Sequence, residues 1–320
     1  MKSRSSELRR ARPLLGTIVE IGARGPGASA GIEAAFREVE TIHQLMSFHE
    51  IDSDVSCLNR APLLTPLAVD PRTYEVLTWA QRISALSEGA FDVTVGAELV
   101  AAGFLPEPAN SEYPFPEANF RDLSLLPDNR VLLKRRAWID LGGIAKGYAV
   151  DRAVMMLKQF GVVSGTVNAG GDLLVFGAEQ PVHIRHPGEP GLKFPLGKVL
   201  NSAVASSSGC FSARKKIHAV NDPLIDPRRN RRVNWRFSVT VIAACCIVAD
   251  ALTKVVRLAI RQAPRILSQF GARALIIDRR GLRIFPANEN DTMSSSLETA
   301  ARVVNAETRA SIPHQAVTGL

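Results

Sequence analysis

The segment IDLGGIAKGYAVDRA, residues 139–153, constrains the fold more than any other part of the chain. Two adjacent glycines separate a short apolar run from a pattern of helical spacing. Gly142 and Gly143 allow a ligand to approach the backbone, and the following helix presents free N–H groups and the positive end of its dipole. Lys146 adds a positive charge suited to phosphate. The segment alone is compatible with an anion site or with a plain strand-to-helix turn that leaves Lys146 in solvent.

Hydrophobic periodicity predicts the remaining helices and strands. The predicted helices are 30–46, a short turn at 54–59, 71–88, 149–160 and about 249–261. The predicted strands are 14–23, 130–133, 137–139, 166–176, 182–185, 237–247 and a closing hairpin of 274–278 with 282–285. Clusters of proline, glycine and arginine predict loops at 103–122 and 188–197 and a turn region at 223–233.

Two further glycine motifs adjoin predicted elements. NAGGDL, residues 168–173, either exposes backbone amides and places Asp172 beside a ligand, or forms a bulge where two strands pass closely. GAFDVTVG, residues 89–96, allows Phe91 to stack on an aromatic ligand while Asp92 bonds a polar edge of that ligand. Core packing for Phe91 and a turn-capping role for Asp92 are equally compatible with the motif.

VADALTK, residues 248–254, places Asp250 at the start of a predicted helix, directly after a buried strand. Thr253 and Lys254 follow at three and four residues, so both lie on the same helical face as Asp250. A carboxylate beside a hydroxyl suits magnesium, which prefers oxygen ligands. The alternative is an aspartate that only stabilises the N-terminus of the helix. Neither the six histidines nor the four cysteines show the spacing of a zinc site.

The formal net charge of +8 comes largely from arginines near the N-terminus and around residues 228–236. These arginines either attract anions or are solvated loop residues. Tyrosine and tryptophan number only three each, and no nucleic-acid-binding motif is present, so nucleic acid is not an expected partner. The sequence shows no apolar run long enough for a membrane span, no signal peptide and no lipobox. A cytoplasmic location is therefore expected.

Taken in order, these motifs resemble the ApbE family of FAD:protein FMN transferases. The similarity runs from about residue 14 to 285 and also includes LGT, MSF, SSSG and IDP. The resemblance implies an α+β, T-fold-like architecture of two subdomains with a flavin-binding cleft between them. That domain is expected over residues 14–287, preceded by a basic N-terminal extension at 1–13 and followed by a flexible C-terminal tail at 288–320.

The resemblance also implies the chemistry. FMN is transferred from FAD to a threonine hydroxyl of an acceptor flavoprotein, such as a redox-complex subunit, through a phosphodiester bond in a magnesium-dependent reaction that releases AMP. The metal is expected on the Gly143 carbonyl oxygen and on the carboxylate of Asp250, which is also a catalytic residue. The implied FAD contacts are Leu15, Phe48, Ala90, Phe91, Asp92, Asp140, Lys146 and Leu224.

The chain departs from the family pattern at two places. Position 254 is lysine where the family has threonine, so either Thr253 reaches the metal or the Lys254 ammonium partly replaces the cation. The histidine that commonly precedes the Ile-x-Asp-Pro motif is absent, which leaves Asp222 as the candidate base or activation of the hydroxyl by the metal alone. These departures keep two alternatives open: FAD hydrolysis to FMN and AMP, or FAD binding with impaired catalysis.

Overall fold

The structure is a computed structural model that describes residues 7–185, 193–208, 223–233, 237–278 and 281–285. An eight-stranded antiparallel sheet forms its centre, in the order β1-β2-β6-β7-β10-β13-β14-β15. Smaller sheets pair β3-β5-β4, β8-β9 and β11-β12. The strands are β1 (Leu8–Leu14), β2 (Thr17–Arg24), β3 (Leu67–Ala68), β4 (Leu123–Leu126), β5 (Arg130–Leu133), β6 (Ser164–Ala169), β7 (Asp172–Phe176), β8 (Gln180–Arg185), β9 (Lys193–Val199), β10 (Ser202–Ser208), β11 (Ile225–Asp226), β12 (Arg231–Arg232), β13 (Ser238–Ala243), β14 (Arg273–Asp278) and β15 (Gly281–Phe285).

Helices cover one face of the large sheet. The helices are α1 (Ala28–Met46), α2 (Asp54–Arg60), α3 (Pro71–Leu86), α4 (Gly96–Ala101), α5 (Ala145–Gln159), α6 (Cys246–Leu258) and α7 (Ala263–Gln269). Helix α5 packs between α1 and α6, and α6 lies across β10 and β13. In the part of the chain that the structure describes, no helix is long and apolar enough to cross a membrane.

Strand β13 shows how the sheet separates two apolar cores. All six of its residues are buried, which explains why its sequence is a continuous run without polar alternation. Val239, Val241 and Ala243 face the main core under the helices. Ile242 belongs to a second core, where the β8–β9 hairpin covers the opposite face of the sheet. The mixture of an antiparallel sheet and packed helices confirms the α+β prediction.

Most predicted elements are confirmed to within a few residues, but two predicted strands are corrected. Residues 166–176 form two strands, because Gly170 and Gly171 adopt positive φ angles and turn the chain into a hairpin. Residues 137–139 form no strand and make only an isolated bridge between Trp138 and Val95. The backbone of Ile139 is instead satisfied by the side-chain amide of Asn59, at 2.7 and 3.1 Å.

The ends of several elements also differ from the prediction. Helix α6 begins at Cys246 rather than at 249, because the carboxylate of Asp151 on α5 accepts the N–H groups of Cys246 and Ile247 at 2.7 and 2.8 Å. Helix α5 begins at Ala145 rather than at 149, since packing outweighs the low helix propensity of its internal glycine. Residues 193–197, predicted as loop, belong to β9.

The large sheet starts before the predicted domain boundary at residue 14. Strand β1 begins at Leu8, inside the predicted N-terminal extension, and pairs along its length with β2. Its arginines are held by acidic residues, since both Arg10 and Arg12 pair with Glu33 of α1. The predicted tail at 288–320 lies outside the described residues.

Candidate functional site

Two adjoining cavities lie where the glycine-rich segment meets the helices. The first has a volume of about 380 Å³ and the second about 280 Å³, and they share Leu105, Asp140 and Gly142 as lining residues. Both fall in or near the size range of small-molecule sites. The predicted FAD contacts all line one or both cavities: Ala90, Phe91, Asp92 and Leu224 the first, Leu15, Phe48 and Lys146 the second, and Asp140 both.

Apolar side chains form the walls of the cavities. Phe91 and Leu224 line the first cavity from separate segments, and each is at most 8% exposed. Phe48 lines the second cavity beside Leu15 and Gly16 of the β1–β2 turn. Leu15 has a φ of 54°, a left-handed conformation that costs a side chain such as leucine some backbone strain. Residues from widely separated motifs thus enclose one apolar cleft.

Asp92 has a structural role in the cavity wall. One carboxylate oxygen accepts the Thr94 N–H at 2.8 Å and the Thr94 hydroxyl at 2.7 Å, and the other accepts the Phe120 N–H at 2.8 Å. Burial raises the pKa of Asp92 against the effect of these bonds. These hydrogen bonds match the turn-capping interpretation of Asp92. Phe91, by contrast, forms part of the wall of the first cavity.

Asp140 stands at the junction of the two cavities. Its carboxylate accepts the Gly142 N–H at 3.2 Å, which closes the turn before α5. Burial raises the pKa of Asp140, and the nearby charges of Lys146, His49 and Lys254 act in the opposite direction. A half-buried carboxylate in this position can accept hydrogen bonds from a polar ligand that spans both cavities.

Helices α5 and α6 approach closely at Gly147. A Cβ atom at this position would lie 2.3 Å from the Cys246 carbonyl oxygen and 2.8 Å from Asp250 Cβ, so only glycine fits. The Gly147 N–H donates to Asp250 Oδ2 at 3.1 Å. The sequence drew attention to Gly142 and Gly143, yet a Cβ on Gly143 would make only ordinary contacts of 3.5 Å or more.

Beneath the cavities lies a cluster of two carboxylates and two ammonium groups, Lys146, Asp172, Asp250 and Lys254, which we term the carboxylate–lysine cluster. Lys146 Nζ lies 3.0 Å from Asp172 Oδ2 and 3.5 Å from Asp250 Oδ2. Lys254 Nζ pairs with Asp250 Oδ1 and donates to the Asp250 carbonyl oxygen at 3.0 Å. Asp250 is 1% exposed and lines neither cavity, whereas each lysine lines one of them.

The charges in the cluster support one another. Burial raises the pKa of Asp250, but the ammonium groups of Lys146 and Lys254 outweigh it and bring the pKa below its ordinary value. Burial lowers the pKa of Lys146, but Asp250 and Asp172 outweigh it and hold the pKa above its ordinary value. The pKa of Asp172 is raised by burial and by repulsion from Asp250. At neutral pH, Asp250 is thus ionised and Lys146 carries its positive charge.

A third cation lies further along α6. Arg257 is 3% exposed, lines the first cavity and donates from Nη1 to the Ser207 hydroxyl at 3.1 Å. It follows Lys254 by one helical turn, so both cations lie on the same face of α6. The cavities are therefore bordered by cations on Lys146, Lys254 and Arg257, an arrangement that suits a ligand with adjacent phosphates.

The arginine-rich turn at 223–233 closes one side of the first cavity as the β11–β12 hairpin. Asp226 pairs with Arg228 at 3.1 Å and with Arg229 at 3.4 Å. Arg228 also donates from Nη2 to the carbonyl oxygen of Leu258 at 2.7 Å, which ties the hairpin to the end of α6. Arg228 thus makes structural contacts, while Arg229 pairs with Asp226 but keeps a side chain that is 64% exposed.

The residues predicted to hold magnesium do not form a prepared metal site. Both carboxylate oxygens of Asp250 already pair with ammonium groups, and Lys254 lies between Asp250 and Gly143, with its Cε 3.7 Å from where a Gly143 Cβ would be. Thr253 is 1% exposed, lines neither cavity, and donates its hydroxyl to the Asp250 carbonyl oxygen at 2.7 Å. Among the described residues, no group of three or more histidine, cysteine or acidic side chains is arranged to bind a metal ion. The octahedral oxygen coordination of Mg²⁺ does not fit this arrangement.

The structure adds Arg257 to the site and decides the place of Asp172, which the sequence offered beside a ligand as one of two alternatives. Asp172 lies at the start of β7 because the NAGGD motif forms the β6–β7 turn, with the Gly171 N–H donating to Asn168 Oδ1 at 2.9 Å. The sequence shows the motif, but only the three-dimensional fold shows that its Asp172 pairs with Lys146. Arg257 gave no local signal, since a single arginine on an apolar helix is an ordinary pattern. The candidate base Asp222 lies outside the described residues.

Comparisons with known proteins identify the family that this chain is similar to in sequence and in fold. A model of the ApbE family matches residues 15–276. An FAD:protein FMN transferase of Vibrio cholerae is 29% identical over 240 residues, covering 68% of this chain and 69% of that protein. The FAD:protein FMN transferase of Treponema pallidum is 27% identical over 286 residues, covering 78% of each. Among solved structures, a mutant of the flavin transferase ApbE from Vibrio cholerae and the ApbE protein of Thermotoga maritima each give a TM-score of 0.74, at 25% and 27% identity, covering 88% of this chain and 97% of theirs. The predicted similarity to the α+β fold of ApbE structures is thereby confirmed.

Proposed function

The chain belongs to the ApbE family, and from this premise we propose that it transfers the FMN half of FAD to an acceptor protein. The observation that carries the proposal is the convergence of the predicted FAD contacts. These residues are spread from Leu15 to Leu224 in the sequence, yet all of them line two adjoining cavities. The relatives that bear the name FAD:protein FMN transferase cover this chain over two thirds or more of its length.

The two cavities suit the two chemical characters of FAD. Apolar surfaces from Phe48, Phe91 and Leu224 supply walls for planar aromatic rings, which gain from burial and stacking. The pyrophosphate between the two nucleotide halves requires positive charge, and Lys146, Lys254 and Arg257 border the same space. Asp140, at the junction of the cavities, is placed to accept hydrogen bonds from the ligand.

In the proposed reaction, a threonine hydroxyl oxygen of the acceptor attacks the phosphorus of the FMN half. A new phosphorus–oxygen bond forms to the acceptor, and the bond between that phosphorus and the bridging oxygen breaks. AMP leaves with the bridging oxygen and its electron pair, and the hydroxyl proton passes to a base, for which Asp222 remains the predicted residue. The cations beside the pyrophosphate offset the charge that develops on the leaving AMP.

The acceptor is proposed to be a flavoprotein with an accessible threonine, such as a subunit of a redox complex, and the cytoplasm stays the predicted location. Incubation of the chain with FAD and such an acceptor domain tests the proposal. The expected result is flavin fluorescence that remains on the acceptor band in a denaturing gel. A matched control replaces the acceptor threonine with valine, which keeps the shape and removes the nucleophile. Equal labelling of both acceptors, or of neither, would count against threonine as the site of transfer.

A further inference from the structure

Lys254 brings a positive charge to the first cavity. Its side chain lines the first cavity, its Nζ contacts both the carboxylate and the carbonyl oxygen of Asp250, and its Cε lies beside Gly143. Asp250 itself has no surface on either cavity, because the two ammonium groups cover it. The two carboxylates and two ammonium groups of the carboxylate–lysine cluster balance each other in charge.

A divalent cation would gain little in this cluster. To reach Asp250 it would have to displace at least one ammonium group, and it would then lie beside the remaining one, with like charges repelling at close range. Thr253 supplies no ligand, since its buried hydroxyl is engaged with the helix backbone. An ammonium ion has three N–H donors, and Asp250 takes two of those on Lys254. The third is left for an oxygen of a phosphate in the cavity.

We propose that the Lys254 ammonium serves as a built-in cation for the FAD pyrophosphate, so that this chain binds and cleaves FAD without a divalent metal ion. The inference rests on the proposed function, because the pyrophosphate of FAD is the group that the Lys254 ammonium would contact. In the transfer step the phosphorus of the FMN half exchanges its bond to the bridging oxygen for a bond to the acceptor oxygen. The leaving AMP carries the bridging oxygen and its electron pair away beside the Lys254 charge, and the hydroxyl proton goes to a base.

Calorimetric titration with FAD tests the inference, once in EDTA and once in excess Mg²⁺. The dissociation constant of the wild-type chain should differ by less than about threefold between the two buffers. Lys254→Thr, which replaces the charge by a metal-binding hydroxyl, should bind FAD about tenfold or more weakly in EDTA and recover in Mg²⁺, since one charge-assisted contact contributes about a factor of ten. Lys254→Met, with neither charge nor ligand, should bind weakly in both buffers.

Three results would overturn the inference: wild-type binding that requires Mg²⁺, wild-type affinity in Lys254→Thr with EDTA, or wild-type affinity in Lys254→Met. Thermal unfolding of each variant shows whether it folds. If Lys254→Met does not, Lys254→Arg takes its place, and its retained charge should preserve FAD binding in EDTA. Loss of that binding in a folded Lys254→Arg chain would contradict the built-in cation.

Transfer to the acceptor domain in EDTA separates this inference from the proposed function. Metal-independent transfer supports both. Transfer that occurs only with Mg²⁺ rejects the built-in cation while the transferase function stands. Metal-independent FAD binding without transfer in either buffer rejects the transferase function. The calorimetric results then still decide whether Lys254 binds the pyrophosphate in place of a metal ion.

Discussion

Replacing Gly147 with alanine should destabilise the protein at the point where the site is assembled. The new Cβ would lie 2.3 Å from the Cys246 carbonyl oxygen, whereas ordinary contacts begin near 3.4 Å, so α5 must move about 1 Å away from α6. The clashing atoms are backbone atoms and the Cβ of Asp250, and no change of rotamer relieves the contact. The movement also weakens the 3.1 Å bond from the Gly147 N–H to Asp250 Oδ2.

The expected change in the free energy of unfolding combines two destabilising effects and one stabilising effect. Overpacking a close contact costs about 1–3 kcal/mol, and weakening a hydrogen bond to a charged group costs about 1.5–3 kcal/mol. Alanine regains about 1 kcal/mol of helix propensity over glycine. The net expectation is a loss of about 1.5–5 kcal/mol in the free energy of unfolding, together with weaker FAD binding because Asp250 no longer holds the two lysines in place.

Urea unfolding followed by tryptophan fluorescence measures this loss. Gly143→Ala is a matched control, since its Cβ would meet Phe91 at 3.5 Å and Lys254 at 3.7 Å, which are ordinary contacts. Its free energy of unfolding should stay within about 1 kcal/mol of wild type. If Gly147→Ala unfolds at the wild-type urea concentration, or if both variants lose equal stability, the close crossing of α5 and α6 at Gly147 is refuted.

Three other substitutions probe the cluster and its support. Lys146→Met should weaken FAD binding about tenfold or more and lower the free energy of unfolding by about 1–3 kcal/mol, because Asp172 loses its cation. Unchanged FAD titrations would exclude Lys146 from the phosphate site. Asp250→Asn should lower the free energy of unfolding by about 2–4 kcal/mol, since two ammonium groups lose their shared carboxylate; a urea midpoint equal to wild type would contradict the cluster. Burial raises the pKa of Asp151 from 3.8 to about 6, so the stability it contributes is complete below pH 3.8 and is lost as pH rises through 6. Compared with Asp151→Asn by urea unfolding, the wild-type chain should therefore lose about 2 kcal/mol between pH 4 and pH 7, and parallel pH profiles would reject the raised pKa.

Local patterns were sufficient to predict most helices and strands, and the resemblance to the ApbE family implied the residues that line the cleft. The GAFD, DLGG and Ile-Asp-Pro motifs each mark a turn, and turns are where a fold brings backbone and small side chains to a cavity. Their order along the chain indicated that they belong to one site. Phe91, Asp140 and Leu224 line one cavity, as the resemblance implied, although the GAFD and DLGG motifs each had an ordinary structural interpretation by themselves.

Contacts between distant segments could not be predicted in the same way. Helix α6 starts at Cys246 because Asp151 on another helix caps it, and no local pattern records that bond. Thr253 and Lys254 are neighbours on one helix, about 100° apart around its axis. Only the packing of α6 decides that Lys254 reaches the cavity while Thr253 is buried. The same holds for Asp172, whose partner Lys146 belongs to a different motif.

The stoichiometry of the products tests most directly whether the cleft transfers the FMN half of FAD to a protein. A time course with FAD and a threonine-containing acceptor domain would measure AMP by chromatography and modified acceptor by intact mass. We expect one AMP for each acceptor that gains one FMN, with no accumulation of free FMN. AMP formed together with free FMN and an unmodified acceptor, or FAD that remains intact, would contradict it.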